Sequence, residues 1–273
     1  MLMMSASALN GKINGNASSS EIDVDDIPKG GYVRSPVKVA AACGALVLAI
    51  VSLGLLVEFE TQEDGDEGYA GGVNWVDAKQ LHNYHAIFMT SGMLVMATAG
   101  LHAWGILNLF GVDRANQKVV HGSLFLLSVV FIGIGLYAVN KSDCAPDGTC
   151  EASVTEVHHY IGVFSLAVYF AQFLAAALIF GLGFASDAVR KAFVEHHRAI
   201  GVASLALSTA TILSGMEMQV VAKGSCEIDD VTFTPENHAA SHWNELQPGC
   251  KTINGAAISA AFSLLLSIIA LMR

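Results

Sequence analysis

Six stretches of the chain run for roughly twenty to thirty residues with almost no charge: Val39 to Val57, Ala86 to Val112, Val119 to Asn140, Val157 to Ser186, Ala199 to Val221 and Ile253 to Met272. A spanning helix needs ~20 mostly apolar residues, so each stretch predicts one membrane crossing. The runs are continuous rather than alternating, and they carry the Ala, Gly and Leu with which helices pack in lipid. That pattern points to helices and not to barrel strands. Glu217 is the one acid inside the six runs. The expected fold is an all-α membrane protein over residues 37–273, with lipid as its surroundings.

Composition agrees. Apolar residues make up 53% of the chain and charged residues only 14%, with a mean hydropathy of +0.51, far from a soluble domain. No soluble catalytic domain fits in what remains. Residues 1–36 are rich in Ser, Asn, Gly and Asp and hold no apolar block that could serve as a cleaved signal, so they read as a disordered tail. Lys29, Arg34 and Lys38 precede the first helix. Arg114 and Lys118 fall between the second and third, Arg190, Lys191 and Arg198 between the fourth and fifth, and Arg273 ends the chain. The alternate loops are acidic, with Glu58, Glu60, Glu63, Asp64, Asp66 and Glu67 in the first, Asp143, Asp147, Glu151 and Glu156 in the second, and Glu227, Asp229, Asp230, Glu236 and Glu245 in the third. Cationic loops stay in the cytoplasm, which places both termini there and the acidic loops outside or in a lumen.

Four of the five cysteines, Cys144, Cys150, Cys226 and Cys250, fall in those acidic loops, where disulfides persist. The economical pairing is Cys144 with Cys150 and Cys226 with Cys250, although four cysteines allow three connectivities. A structural zinc site using His238 and His242 suits neither the spacing nor the compartment. Asn140-Lys141-Ser142 is an acceptor sequon on the same side, close to the membrane.

The chemistry concentrates between Asn83 and Ile200. Histidines recur near the start of four successive apolar segments: His85 in NYHAIFMTSG, His121 in KVVHGS, His158 in VHHYIG and His197 in HHRAIG. An imidazole within a membrane must find a partner and is a functional candidate. One such residue alone reads equally well as interfacial packing, but four at matched depth on consecutive helices do not. Alternating crossings put His85 and His158 near one face and His121 and His197 near the other, which makes two bis-histidine sites. At ~1.5 Å rise per residue each site lies roughly 5 to 8 Å below its surface, leaving on the order of 15 to 20 Å between them in a ~30 Å core. Two neutral imidazoles in a dry bundle, with no cysteine or carboxylate at matching depth, suit low-spin haem better than zinc or a di-iron carboxylate site. No C-x-x-C-H occurs, so two haem b groups would be held non-covalently by the second to fifth helices. Gly162 and Gly201, each four residues beyond a ligand, and Gly92, seven beyond His85, are positions where a flat macrocycle could lie against a helix. His82 reads as interfacial, His159 and His196 point about 100 degrees away from their neighbours, and His102 reads as polar packing or a group at the cytoplasmic rim.

The pieces NYHAIFMTSG, KVVHG, VHHYIGVFSLAVYFAQFL, and HHRAIG followed by ATILSGMEM make residues 38–272 resemble the cytochrome b561 family of six-helix, di-haem transmembrane oxidoreductases. The resemblance implies the same ligand pairing, a homodimer, and electron transfer from cytoplasmic ascorbate to monodehydroascorbate or a ferric chelate on the other side. It also implies that Lys118, three residues before His121, helps hold ascorbate; Arg190 and Lys191 lie near the family's second basic position. The chain departs from the family pattern in LHAWGILNLF, which lacks the usual cation, in EVHHY before the fourth helix, and in Cys144, where many members carry a histidine. A ferric or cupric reductase is the close alternative, with His238, Asn237 and the last acidic loop as metal donors. A haem-free six-helix transporter or scaffold is the alternative of a different class, and a relay between protein partners is the third. The plasma membrane or an endomembrane fits the topology.

Overall fold

The computed structural model describes residues 35–63, 69–144, 157–182, 184–223, 226 and 246–272. All the regular elements among them are helices, and six are long and apolar enough to cross a membrane. They are α1 (Pro36–Thr61), α2 (Ala78–Leu109), α3 (Arg114–Ser142), α4 (Val157–Gly181), α5 (Asp187–Lys223) and α6 (Pro248–Leu271). The protein is an integral, multi-pass membrane protein. Residues 1–34, most of the acidic loops, and with them Cys150, His238 and His242, lie outside the described residues.

Every helix but α4 begins ahead of its apolar stretch. Helix α5 has 37 residues, about 55 Å at the α-helical rise, because the charged segment from Asp187 to Arg198 continues the helix ahead of the apolar run. Helix α2 begins at Ala78 instead of Ala86. Its start is set by Asp77, whose side chain accepts from the backbone of Lys79 and Gln80, satisfying donors that a helix start leaves orphaned. Helix α4 ends earlier than its apolar run, closing at Gly181 in a π turn.

Helices α1 and α6 pack along each other through small residues. Ala41, Ala45, Ala49 and Ser52 of α1 and Ala256, Ala260, Ser263 and Ser267 of α6 are all buried. Lipid offers no hydrophobic drive between helices, so close backbone approach and polar stitches must hold them. Ser52 Oγ donates to the Ala256 carbonyl at 2.8 Å, and Ser263 Oγ donates back to the Ala45 carbonyl at 2.8 Å. Beyond this pair, α2 packs on α3, α4 on α5, α5 on α6, and α2 touches α5.

Helices α2 and α3 form a tight hairpin. Gly111 at its bend has φ +67°, and the Val112 amide reaches back to the Leu107 carbonyl at 3.2 Å, the glycine-terminated closure of a helix end. Asp113 then caps α3 by accepting from the amides of Ala115 and Asn116 at 2.9 and 3.0 Å. Within α2, Ser91–Met96 form a π-helical segment.

At the opposite end of α2, the buried Asn83 donates to the carbonyls of Gly72 and Ala70 at 2.7 and 3.3 Å. Gln80 donates to the Gly71 carbonyl at 2.8 Å. These bonds tie the strap after α1 onto α2, while Trp75 stacks on Tyr84 at 4.1 Å in the manner of an interfacial aromatic. Cys226, ahead of α6, is bonded to Cys250 in the first turn of that helix. Cys144 is also disulfide-bonded, and Cys43, exposed on α1, is free.

Candidate haem-binding centres

The four histidines meet in two pairs across the bundle. The rings of His85 on α2 and His158 on α4 face each other with centroids 6.3 Å apart and planes at 88°. Those of His121 on α3 and His197 on α5 stand 6.2 Å apart at 74°. An imidazole nitrogen binds a transition metal at about 2 Å, so two imidazoles sharing one metal have ring centres about 6 Å apart. Both pairs have that separation. Among the described residues, no group of three or more His, Cys, Asp or Glu could hold a metal. A two-imidazole donor set matches a group that supplies its own equatorial ligands, as haem does.

Every one of the four Nδ1 atoms is engaged. His85 Nδ1 lies 3.1 Å from the Gly135 carbonyl on α3, and His121 Nδ1 lies 2.8 Å from the Gly100 carbonyl on α2. His158 Nδ1 lies 3.0 Å from the Thr211 carbonyl on α5 and 3.1 Å from Ser214 Oγ, while Ser214 donates its own proton to that carbonyl at 2.8 Å. His197 Nδ1 lies 2.6 Å from the side-chain amide of Gln172 on α4. A carbonyl can only accept, so three of the rings hold their proton on Nδ1 and keep the Nε2 lone pair for a metal.

The partners follow a rule. Gly135, Gln172 and Thr211 stand fourteen residues after His121, His158 and His197, and each serves the histidine of the neighbouring antiparallel helix. In α2 the interval from His85 to Gly100 is fifteen, and the π segment Ser91–Met96 lies inside it. A π turn accommodates one extra residue per turn, so it restores the register the other helices have without it.

Glycines sit where the rings and the helices need room. A Cβ at Gly215 would lie 2.8 Å from His158 Cε1, and one at Gly100 would lie 2.5 Å from the ring of Phe125, which itself packs on His121 at 4.9 Å between centroids. Of the glycines expected to leave room for a macrocycle, Gly92 is turned to a neighbouring helix instead. Gly92 faces the Ser128 backbone, where a Cβ would come within 2.9 Å of the carbonyl oxygen. It serves the close approach of α2 and α3. Gly162 and Gly201 face Thr211 and Leu101 at ordinary contact distances of 3.5 and 3.4 Å.

Midway between the pairs, Tyr169 donates to Ser128 Oγ at 2.6 Å, and Ser128 donates to the Gly92 carbonyl at 2.8 Å. This chain links α4, α3 and α2 in the dry middle of the bundle. The other histidines among the described residues lie outside the two pairs. His82 is half-buried, 5.9 Å from His85 and near Ser142 Oγ; His159 and His196 are exposed; and the fully buried His102 meets Ser267 Oγ on α6 at 3.0 Å.

The three candidate cations lie at the starts of α3 and α5. Lys118 and Lys191 are exposed, and Arg190 is half-buried. Arg190 stands seven residues before His197, on the same helical face. Its Nη1 is 3.5 Å from Asp187, and its Nε is buried with no hydrogen-bond partner among the described residues. Gln172, Thr211 and the paired glycines are the residues that sequence reasoning missed. Gln172 alone left a signal, as the only side-chain amide in the apolar run of α4.

The sequence pattern of eukaryotic cytochrome b561 matches residues 84–223. The lysosomal membrane ascorbate-dependent ferrireductase CYB561A3 of Danio rerio is 28% identical over 171 residues, 63% of this chain and 66% of that protein. The transmembrane ascorbate-dependent reductase CYB561 of Ovis aries is 27% identical over 173 residues, again 63% and 66% of the two chains. The ferrireductase of Mus musculus is 25% identical over 148 residues, 54% of this chain and 60% of its own length. Each match thus spans just under two thirds of the relative or less. With the family pattern running from the residue before His85 to the end of α5, across all four histidines, the chain belongs to the eukaryotic cytochrome b561 family.

Proposed function

We propose that the protein is a transmembrane oxidoreductase carrying two haem b groups, one between His85 and His158 and the other between His121 and His197. The observation that carries the reading is the pair of ring separations, 6.3 and 6.2 Å, in rings whose Nδ1 atoms are already engaged. A transporter or scaffold has no need for two such facing pairs. Haem iron, when bound, supplies one-electron redox chemistry that no side chain here could supply. The chain's own residues orient the four imidazoles, keep water out with Phe125, Tyr169 and the apolar helix faces, and set the two sites in series across the membrane.

The donor proposed is ascorbate, taken at the end where α3 and α5 begin, which we assign to the cytoplasm together with both termini. Lys118, Lys191 and Arg190 give that rim a positive field for an anion. The relatives' names carry ascorbate as donor and, for two of the three, iron as acceptor. We accordingly assign a ferric chelate or monodehydroascorbate as acceptor at the His85–His158 end. The test is a pyridine haemochrome count on purified protein, followed by stepwise reduction with ascorbate. Two b haems per chain reduced by ascorbate support the reading, and no haem sinks it. Lys118→Ala and Arg190→Ala should each raise the KM for ascorbate several-fold while leaving dithionite reduction intact. An unchanged KM in both variants removes the cationic rim from the donor site.

A further inference from the structure

The Nδ1 partners are chemically unequal. Gly135, Gly100 and Thr211 present main-chain carbonyls, which can only accept. Gln172 presents a side-chain amide, which accepts through its oxygen or donates through its nitrogen. Its amide nitrogen lies 2.6 Å from His197 Nδ1 and 2.7 Å from the His197 carbonyl oxygen. In that orientation it donates to both. Nδ1 of the neutral ring is then the acceptor, the ring proton sits on Nε2, and the ring keeps no free lone pair for a metal. With the amide turned over, Oε1 accepts from Nδ1–H and Nε2 is free to bind a metal. The turned oxygen must also move away from the His197 carbonyl, which it would otherwise repel.

We propose that Gln172 sets the tautomer of His197, and through it decides whether this histidine binds haem iron and how strongly it donates. Gln172 is a positioning residue, acting through His197. The other three rings have no such choice. Their carbonyl partners hold the ligating tautomer, Ser214 beside His158 giving its own proton to the Thr211 carbonyl, and Gln172 is the one side-chain amide among the Nδ1 partners. The inference rests on the reading of His121 and His197 as haem ligands.

Two substitutions of similar size separate the roles. Gln172→Glu keeps the reach of the side chain and, ionised, only accepts; Gln172→Leu removes hydrogen bonding. The readouts are haem b per chain and the two midpoint potentials from a redox titration. Gln172→Glu should keep both haems and lower one potential by at least a tenfold change in its reduction equilibrium, about 59 mV for one electron, with the other unmoved. A carboxylate partner makes the imidazole a stronger donor and favours the ferric state. Gln172→Leu should raise that same potential or lose that haem alone. Wild-type protein with two haems, whose Gln172→Glu variant shifts neither potential, shifts both in parallel, or fails to hold both haems, overturns the inference and leaves the haem assignment standing. Wild-type protein with fewer than two b haems overturns the assignment itself.

Discussion

The two histidine pairs have nearly the same ring separation and different surroundings. The His85–His158 pair is fastened by main-chain carbonyls and by Ser214, and lies beside the strap that Asn83 and Gln80 tie down. The His121–His197 pair is surrounded by aromatic rings. Trp104 and Phe125 stand 6.0 and 4.9 Å from His121, and Phe180 and Phe193 stand 5.3 and 6.4 Å from His197. Its end of the bundle carries the charged extension of α5, and one of its rings answers to a side chain. The difference teaches that position and surroundings are separable: helix register brings both pairs to the same separation, while the side chains around each pair differ.

The comparison breaks most cleanly at the ligands. His85→Ala and His121→Ala should each leave one haem in place of two and lower transmembrane reduction by at least a hundredfold, since either loss interrupts a series. Different residual potentials in the two variants would confirm that each removes a different site. Next in size, Gly215→Val should evict the haem of the His158 pair alone, because its Cβ would start 2.8 Å from the ring. A haem count of one, with the His121–His197 potential unchanged, is the expected result; equal loss at both sites would show that the pairs are not independent. Tyr169→Phe removes the hydroxyl between the pairs and should cost about 1 kcal/mol of stability, read as a lower melting temperature with both haems retained. Smallest is Asp113→Ala at the α2–α3 bend. The Asn116 amide foremost holds the Asp113 carboxyl below the usual range. Its stabilising effect is thus fully present above the unfolded-state pKa of about 3.9, and fades as pH falls through the lower folded value. The melting-temperature gap between wild type and variant should be small at pH 7 and close on acidification.

Much of this was legible in the sequence for plain physical reasons. A hydrocarbon core demands about twenty apolar residues per crossing, so the six runs declared themselves. Four histidines at matched depth could meet only if alternating helices brought them together. The charged start of α5 was not legible as helix, because apolar length measures the membrane and not the helix that projects from it. The π segment in α2 was invisible, since nothing in SGMLVM distinguishes a π turn from an α turn. Gly92 misled for a related reason. Spacing from a histidine says which face a residue shares, but not which neighbour occupies that face. Gly92 proved to face Ser128, and Gly215, which spacing did not single out, proved to face the ring of His158.

The fourteen-residue rule has a consequence for how such a protein is assembled. Each imidazole is oriented by the helix it is hairpinned to, α2 with α3 and α4 with α5, yet each facing pair draws one ring from each hairpin. The first hairpin can thus leave the ribosome with two rings already aimed and no opposite number for either. The second hairpin must then bring the opposite ring to each, through the contacts that α2 makes with α5.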